Sequence, residues 1–258
     1  MTLNLSRRAG VLGAVALILA CGTVPTFSDN IASVSAVELP SLVVVAGDVI
    51  RDSTGAKAPL KVDAYAISGA VLTGVTPVYI VTPVDTGIHI DANGYLTASD
   101  SIRVVHIVAR VGDRIQTTQA VLNVVPLPEL IAGNGTTDPL VGFPAKGPLQ
   151  VTVTGTRKNT RAPTQGVVVR YQITKVNGST TVDPKKVFLV DDQNVPLLNN
   201  PTAAVDTTDA SGLASRFVLV SDTAGISTVE IRATARPLKG ETLTGNPVTF
   251  TLPLKKTP

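Results

Sequence analysis

The sequence predicts an all-β protein built of two consecutive β-sandwiches, and three observations support that prediction. Hydrophobic residues make up 44% of the 258 residues, whereas aromatic residues make up 3% and tryptophan is absent. Many short segments alternate apolar with polar residues, as a strand does when one of its faces lies on a core. Turn-forming residues separate these segments, and after residue 20 no segment shows a capped helical period.

The start of the chain has the features of an export signal. Arg7 and Arg8 precede an apolar run at residues 9–20, and Cys21 follows directly. The run is shorter than the roughly 20 apolar residues that a membrane-spanning helix needs. We therefore predict a signal peptide at residues 1–20 that is removed on export.

The segment Ile18-Leu19-Ala20-Cys21 resembles the bacterial lipoprotein box, in which the cysteine thiol is acylated and becomes the new N-terminus. The resemblance implies lipidation at Cys21, and two or more acyl chains give stable membrane attachment. Gly22 stands where many inner-membrane lipoproteins of diderm bacteria carry Asp, which favours the outer membrane and leaves its periplasmic or surface face open. The alternative is an ordinary signal peptide with an incidental cysteine.

The charge of the chain argues against nucleic acid as a partner. The formal net charge is +3, and removal of Arg7 and Arg8 leaves 20 basic and 19 acidic side chains, a balance of +1. A near-neutral chain lacks the positive field that captures nucleic acid. Because Cys21 is the sole cysteine, each sandwich must be held together by burial without disulfides.

Residues 21–126 are predicted as a tether followed by the first sandwich. Residues 21–38 contain Pro25 and several serines without a clear period, as a tether does. From residue 39 onward, alternating segments such as 60–66 and 103–109 predict strands. We therefore place the first sandwich at residues 39–126.

Residues 127–258 are predicted as a linker followed by the second sandwich. Residues 127–147 are rich in Pro and Gly, which indicates a semi-stiff linker. Residues 148–258 alternate more cleanly and supply six or seven strands, a number typical of an immunoglobulin-like sandwich. The positions predicted to face this second core are Val151, Val153, Val169, Tyr171, Ile173, Phe217, Leu219, Ile231, Phe250 and Leu252.

Three segments resemble bacterial Ig-like domains. Residues 88–98, with Asp91-Ala92-Asn93-Gly94 between two short strands, are similar to a strand–turn–strand pattern of that family. Residues 162–171 and 207–214 resemble the corresponding stretches of invasin/intimin-type domains. The resemblance implies tandem Ig-like domains, which in that family often serve as spacers or adhesive modules at the cell surface.

The sequence offers little support for catalysis or for a cofactor. His89 and His106 are the two histidines, both lie in predicted strands, and no nucleophile motif accompanies them. His89, between two isoleucines, is predicted to face solvent. Calcium ligands could come from the turns at Asp91 and at Asp206 and Asp209, but acidic residues before Gly are also ordinary turn formers, so we predict no metal site.

The predicted function is that of a non-enzymatic, lipid-anchored envelope protein that acts as a spacer, an adhesive module or an accessory subunit of an envelope complex. The alternative is a glycan-binding or polysaccharide-associated sandwich, although few aromatic residues are available for stacking on sugars. The partner, protein or glycan, is expected to bind loops of the second sandwich. The candidate binding residues in those loops are Asp183, Lys185, Lys186, Asp191, Asp192, Asn194, Asn199 and Asn200.

Overall fold

The computed structural model describes residues 31–82, 84, 87–99, 103–112, 115–142, 144–193, 195, 201–222 and 224–255, and all regular structure in these residues is β. The prediction of an all-β fold is thereby confirmed. The strands described before Pro126 form the first unit: β1 (Ile31–Val34), β2 (Val43–Val45), β3 (Ala64–Ala66), β4 (Val71–Leu72), β5 (Val78–Thr82), β6 (Ile88–Ile90), β7 (Leu96–Ala98), β8 (Arg103–Val111), β9 (Ile115–Gln116) and β10 (Ala120–Val125).

The strands described after Leu127 form the second unit. They are β11 (Pro128–Asn134), β12 (Leu140–Gly142), β13 (Ala145–Arg157), β14 (Thr160–Pro163), β15 (Val168–Val176), β16 (Val187–Val190), β17 (Ala203–Thr207), β18 (Leu213–Val220), β19 (Thr228–Ala235) and β20 (Val248–Lys255). Among the residues described, no strand pairing joins the two units.

Strand β8 is the centre of the first unit. It pairs antiparallel with β5 and β10, and β2 runs parallel to β10 at the edge of the same sheet. Since successive side chains of a strand point to opposite faces, its alternating sequence turns one apolar face to the core. The core-facing residues of β8 are Val105, Ile107, Ala109 and Val111. The separate hairpin β6–β7 adds Ile88, Leu96 and Ala98 to the same core.

The second unit is a sandwich whose two faces share one core. One face has the order β16-β18-β13, and β11 and β14 also pair with β13. The other face has the order β17-β15-β19-β20. Strand β12 pairs with β13 and runs parallel to β20, which connects the two faces. Buried residues from both faces form one hydrophobic cluster, so the faces pack against each other.

Eight of the ten predicted core positions of the second unit are buried, and two are wrong. Phe217 and Leu219 are only half-buried, whereas Val218 and Val220 of the same strand are buried. Strand β18 carries apolar residues on both faces, so its sequence alone does not say which face turns inward. On the outer face, the Lys146 ammonium lies 4.0 Å from the centroid of the Phe217 ring, a cation–π contact.

The prediction of a linker at residues 127–147 is wrong. This segment contains β11, β12 and the first residues of β13, and it buries Ile131 and Leu140 in the second core. Its glycines serve close packing, because a Cβ on Gly133 would lie 2.5 Å from Val248 Cγ1. The connection between the units is therefore Pro126-Leu127.

The predicted tether at residues 21–38 is also partly wrong. Strand β1 pairs antiparallel with β3, and Val37 is buried in the first core. The chain therefore belongs to the folded first unit from Ile31 onward. Residues 21–30 lie outside the described residues.

The two units touch directly beside their short connection. A Cβ on Gly166 would lie 2.4 Å from Val43 Cγ1, so the loop before β15 rests on the edge strand β2. Leu238 of the second unit lies in a small crevice that Val43 and Arg51 of the first unit also line. Gly155 is approached so closely by the Leu127 carbonyl that no side chain fits there. The contacts of Gly166 and Leu238 with the first unit thus lie beside the Pro126-Leu127 connection.

Candidate functional site

The predicted binding loop at Asp183–Lys186 is held by its own hydrogen bonds. The Lys185 backbone N–H donates to Asp183 Oδ1 at 2.9 Å, and Ser221 Oγ donates to the Lys185 carbonyl at 2.8 Å. Lys186 forms an ion pair with Asp222 at 2.9 Å. The hydrogen bond to Asp222 raises the pKa of Lys186. Lys185 and the Asp183 side chain are exposed to solvent.

The second predicted loop lies at the other end of strand β16. The Asp191 carboxylate accepts hydrogen bonds from the backbone N–H groups of Gln193 and Val195 at 3.0 and 2.8 Å, and Asp192 is exposed. Asn194, Asn199 and Asn200 lie outside the described residues. Because five residue steps of about 3.3 Å separate Lys186 from Asp191 along β16, the two loops are roughly 16 Å apart. The fold thus does not bring the described candidates into one site.

Among the described residues, Asp191 is one of four aspartates that build the same kind of turn. The others are Asp52, Asp91 and Asp209. In each turn Oδ1 accepts the backbone N–H groups two and four residues later, at 2.7–3.1 Å. Hydrogen bonds from Ser211 and Leu213 lower the pKa of Asp209. These carboxylates are engaged in turn formation, as aspartates often are.

Asp206, which the sequence offered as a possible calcium ligand, has a structural role as well. Asp206 accepts the Ser215 backbone N–H at 2.8 Å and pairs with Arg216 at 3.3 Å. Among the described residues, no three His, Cys, Asp or Glu side chains come together in a way that could hold a metal ion.

The two histidines lie in different sheets of the first unit. His89 is exposed on β6, as its position between two isoleucines predicted. His106 is half-buried on β8, between Thr82 of β5 and Val121 of β10. Its Nδ1 is buried and, within the described part of the chain, has no hydrogen-bond partner.

Cys21, the predicted lipidation site, lies outside the described residues. In the part of the chain that the structure describes, no helix has the length and apolar character needed to span a bilayer.

A cleft with a volume of about 680 Å³ lies between the two units and is a candidate binding site. Small-molecule sites typically occupy about 300–1,000 Å³, often at the boundary between domains. The first unit contributes the start of β8 and the end of β10, and the second unit contributes the β13–β14 hairpin. The polar side chains that line the cleft are Arg103, Asn123, Arg157, Lys158, Thr160 and Gln165.

The β13–β14 hairpin places two cations at the cleft. Arg157 and Thr160 are paired at the end of the ladder, and the two residues between them, Lys158 and Asn159, have φ values of 45° and 63°. Such a two-residue turn with positive φ matches the twist of the flanking strands. Arg157 is half-buried and Lys158 is exposed. The turn thus fixes one guanidinium in the wall and leaves one ammonium at the rim.

The rest of the lining is apolar and neutral. The buried residues Val124, Val125 and Pro126 belong to the last strand of the first unit and the connection, and Ala162 and Pro163 belong to β14. Of the described residues that line the cleft, none is acidic and none is aromatic. The cleft therefore combines positive charge, neutral hydrogen-bonding groups and small apolar side chains.

The sequence did not indicate this cleft. Its lining residues range from Arg103 to Ala210 and come from both units, so their proximity depends on how the units pack. The available signal was the dipeptide Arg157-Lys158, which by itself is typical of solvated surface. Recognition of the hairpin turn between β13 and β14 would have shown that the pair stands at a loop tip.

No protein-family model and no curated protein sequence matches this chain. Among solved structures it is similar to the Yersinia pseudotuberculosis adhesin InvE, with a TM-score of 0.33 and 18% identity over 88% of this chain and 60% of that one. It is also similar to the S-layer protein rSbsC(31-844), with a TM-score of 0.31 and 12% identity over 87% of this chain and 28% of that one. For Drosophila N-cadherin EC1-3 the TM-score is 0.27, with 14% identity over 89% and 69% of the two chains.

This chain thus spans less than two thirds of the InvE and rSbsC structures. Since all three TM-scores lie below 0.5, neither the fold nor the function of this chain rests on these neighbours.

Proposed function

We propose that this protein is a non-enzymatic, lipid-anchored envelope protein that displays two Ig-like units as a spacer, an adhesive module or an accessory subunit of an envelope complex. Ile18-Leu19-Ala20-Cys21 after an apolar signal is the observation that carries the proposal. Acylation of Cys21 would attach the chain to the membrane, and residues 22–30 would then separate the lipid from strand β1. Gly22 favours the outer membrane as the site of attachment.

The junction between the units supports a role in display. The connection Pro126-Leu127 is two residues long, and the contact between Val43 and Gly166 holds the units against each other. Proline restricts the backbone further, because its ring fixes φ. Two units joined in this way present their loops at a defined distance from the anchor, which a flexible linker would not do.

The test of the anchor is a change of the acylated thiol. We expect Cys21→Ser to release the protein from membranes into the soluble fraction, because the hydroxyl cannot carry the thioether-linked lipid. Thr23→Ser, two residues away, is the matched control and should remain with the membrane. Fractionation after a salt wash measures the difference. Persistence of Cys21→Ser in the membrane pellet would rule out the lipoprotein assignment.

A second candidate function is glycan binding, and the cleft between the units favours it. Neutral hydrogen-bonding groups at Asn123, Thr160 and Gln165 suit sugar hydroxyls. A glycan array probed with the protein, compared with a pull-down from envelope extract, separates this function from recognition of a protein partner. Binding on the array without capture of a protein supports the second candidate.

A further inference from the structure

The geometry points to an acidic oligosaccharide as the ligand of the cleft between the two units, bound through a carboxylate or phosphate oxyanion. This inference rests on the second proposed function, glycan binding, and is independent of the lipid anchor. Arg103, Arg157 and Lys158 bring three positive charges to the cleft from both units, and no acidic side chain of the described residues lines it. Such a concentration of one charge in a cleft attracts the opposite charge.

Arg157 is the residue most suited to hold the oxyanion. Its Nε is buried and, among the described residues, has no hydrogen-bond partner. Because this nitrogen is closed to solvent, an oxyanion in the cleft would meet the outer N–H groups of the half-buried guanidinium. The planar guanidinium presents parallel N–H groups that match a carboxylate or phosphate in a bidentate arrangement. Lys158 at the rim adds a second charge that a ligand longer than one sugar would reach.

The neutral part of the lining selects a sugar over other anions. Amide groups of Asn123 and Gln165 and the Thr160 hydroxyl can each donate to or accept from a sugar hydroxyl. The described lining contains no aromatic ring, so a nucleobase would find no stacking surface there. The acid nearest in sequence to the lining residue Ala210 is Asp209, and its Oδ1 already accepts three hydrogen bonds.

The cleft is formed by the way the two units pack in this structure. It lies beside Val125 and Pro126, at the short connection, and the contact of Gly166 with Val43 holds the second unit in place. A preformed cleft loses little entropy on binding. The ligand would contact both units and therefore strengthen their association.

Binding to the full chain in detergent, measured by isothermal titration calorimetry, tests the inference. The probes are trigalacturonate for the carboxylate form and mannose 6-phosphate for the phosphate form, with neutral galactotriose as the control sugar. We expect at least one acidic probe to bind, and binding to weaken on going from about 0.05 to 0.3 M salt because exposed charges are screened. Galactotriose should bind at least about tenfold more weakly, since it lacks the charge-assisted hydrogen bond.

Variants locate the site. Arg157→Gln and Lys158→Gln should each weaken binding of the acidic probe, Arg157→Gln by about tenfold or more. Arg232→Gln, which removes the same charge from an exposed position on β19, should change the affinity by less than about twofold. Lys158 is exposed in a turn, so its variant remains informative if Arg157→Gln fails to fold.

Several outcomes would overturn the inference. They are no binding of either acidic probe, equal binding of galactotriose, equal weakening by Arg232→Gln, and equal binding of a hexaglutamate peptide, which would assign the cleft to acidic peptides. These outcomes are separate from failure of the lipid anchor, because binding in detergent does not depend on Cys21.

Discussion

The two units are built from similar residues, but their strands differ in length. Within the described chain, most strands of the first unit have two to six residues, and β8 with nine is the exception. In the second unit β13 has 13 residues, β15 has nine, and β18, β19 and β20 have eight each. Long strands allow one pattern of alternation to continue across a whole sheet.

This difference in strand length is matched by a difference in burial. The described core of the second unit contains 24 buried apolar residues, whereas that of the first contains 12. The first unit is divided into three separate sheets, and its core includes loop residues such as Ile50 and Leu60. Because stabilisation grows with the apolar area removed from water, the second unit has the larger reserve of stability. The comparison teaches that similar composition does not give equal cores.

The largest expected effect on folding comes from the choice of the first residue in a fragment of the second unit. We predict that fragment 128–258 folds cooperatively, whereas fragment 148–258 does not, because it lacks β11, β12 and the start of β13 and leaves the core without Ile131 and Leu140. Circular dichroism and denaturant unfolding measure the difference. The matched pair in the first unit is 31–126 against 39–126, which lacks the four-residue β1 and the buried Val37 and should fold with reduced stability. Equal folding of 148–258 and 128–258 would restore residues 127–147 as a linker.

A smaller effect is expected from truncation of single side chains in the second unit. Phe250 is fully buried, so Phe250→Ala should lower the free energy of unfolding by about 3–5 kcal/mol. Phe217→Ala removes the same ring from the outer face of β18, where it is half-buried, and should cost about 1 kcal/mol. Calorimetry of both variants, with the first unit as internal reference, tests which face of β18 turns inward. Equal losses would favour the inward orientation that the sequence predicted for Phe217.

Alternation in the sequence predicted most of the second core, and the failures have physical causes. In strand β15, apolar residues at 169, 171 and 173 alternate with polar residues, so the sequence indicates which face turns inward. Val169, Tyr171 and Ile173 are buried as predicted. In β18 both faces are apolar, and pairing with β13 and β16 decides which one is covered. The Pro and Gly residues of 127–147 looked like a linker because their role in close packing depends on residues more than 100 positions away, such as Val248.

The candidate site was less predictable than the fold. The sequence showed that the loops at both ends of β16 are polar turns. It did not show that the aspartates of these loops accept hydrogen bonds from the backbone of the same loop. The cleft requires the relative position of the units, which no local pattern encodes. Its cations were visible in the sequence as an ordinary basic pair, Arg157-Lys158, and acquired meaning only beside Arg103 of the other unit.

The smallest effect concerns one tyrosine hydroxyl in each unit. Tyr171 is fully buried and its hydroxyl donates to the Ala214 carbonyl at 2.9 Å, whereas Tyr79 is half-buried and donates to the Leu60 carbonyl at 3.0 Å. Loss of the bond in Tyr171→Phe should lower the free energy of unfolding of the second unit by about 1–2 kcal/mol. The better solvated Tyr79→Phe should lower that of the first unit by less than about 1 kcal/mol.

The pH dependence of unfolding identifies these hydroxyls. Burial raises the pKa of Tyr171, with a further contribution from the Asp206 carboxylate, and burial also raises the pKa of Tyr79. The unfolded tyrosine loses its proton near pH 10, whereas the folded tyrosine keeps it to higher pH. The contribution of the protonated hydroxyl to the free energy of unfolding is therefore complete below about pH 10 and is lost as the pH rises through the pKa of the folded state. Denaturant midpoints measured between pH 8 and about 11 should therefore fall less steeply for the second unit in Tyr171→Phe than in the parent chain. An unchanged slope in Tyr171→Phe would show that this hydroxyl is not responsible for the alkaline loss of stability.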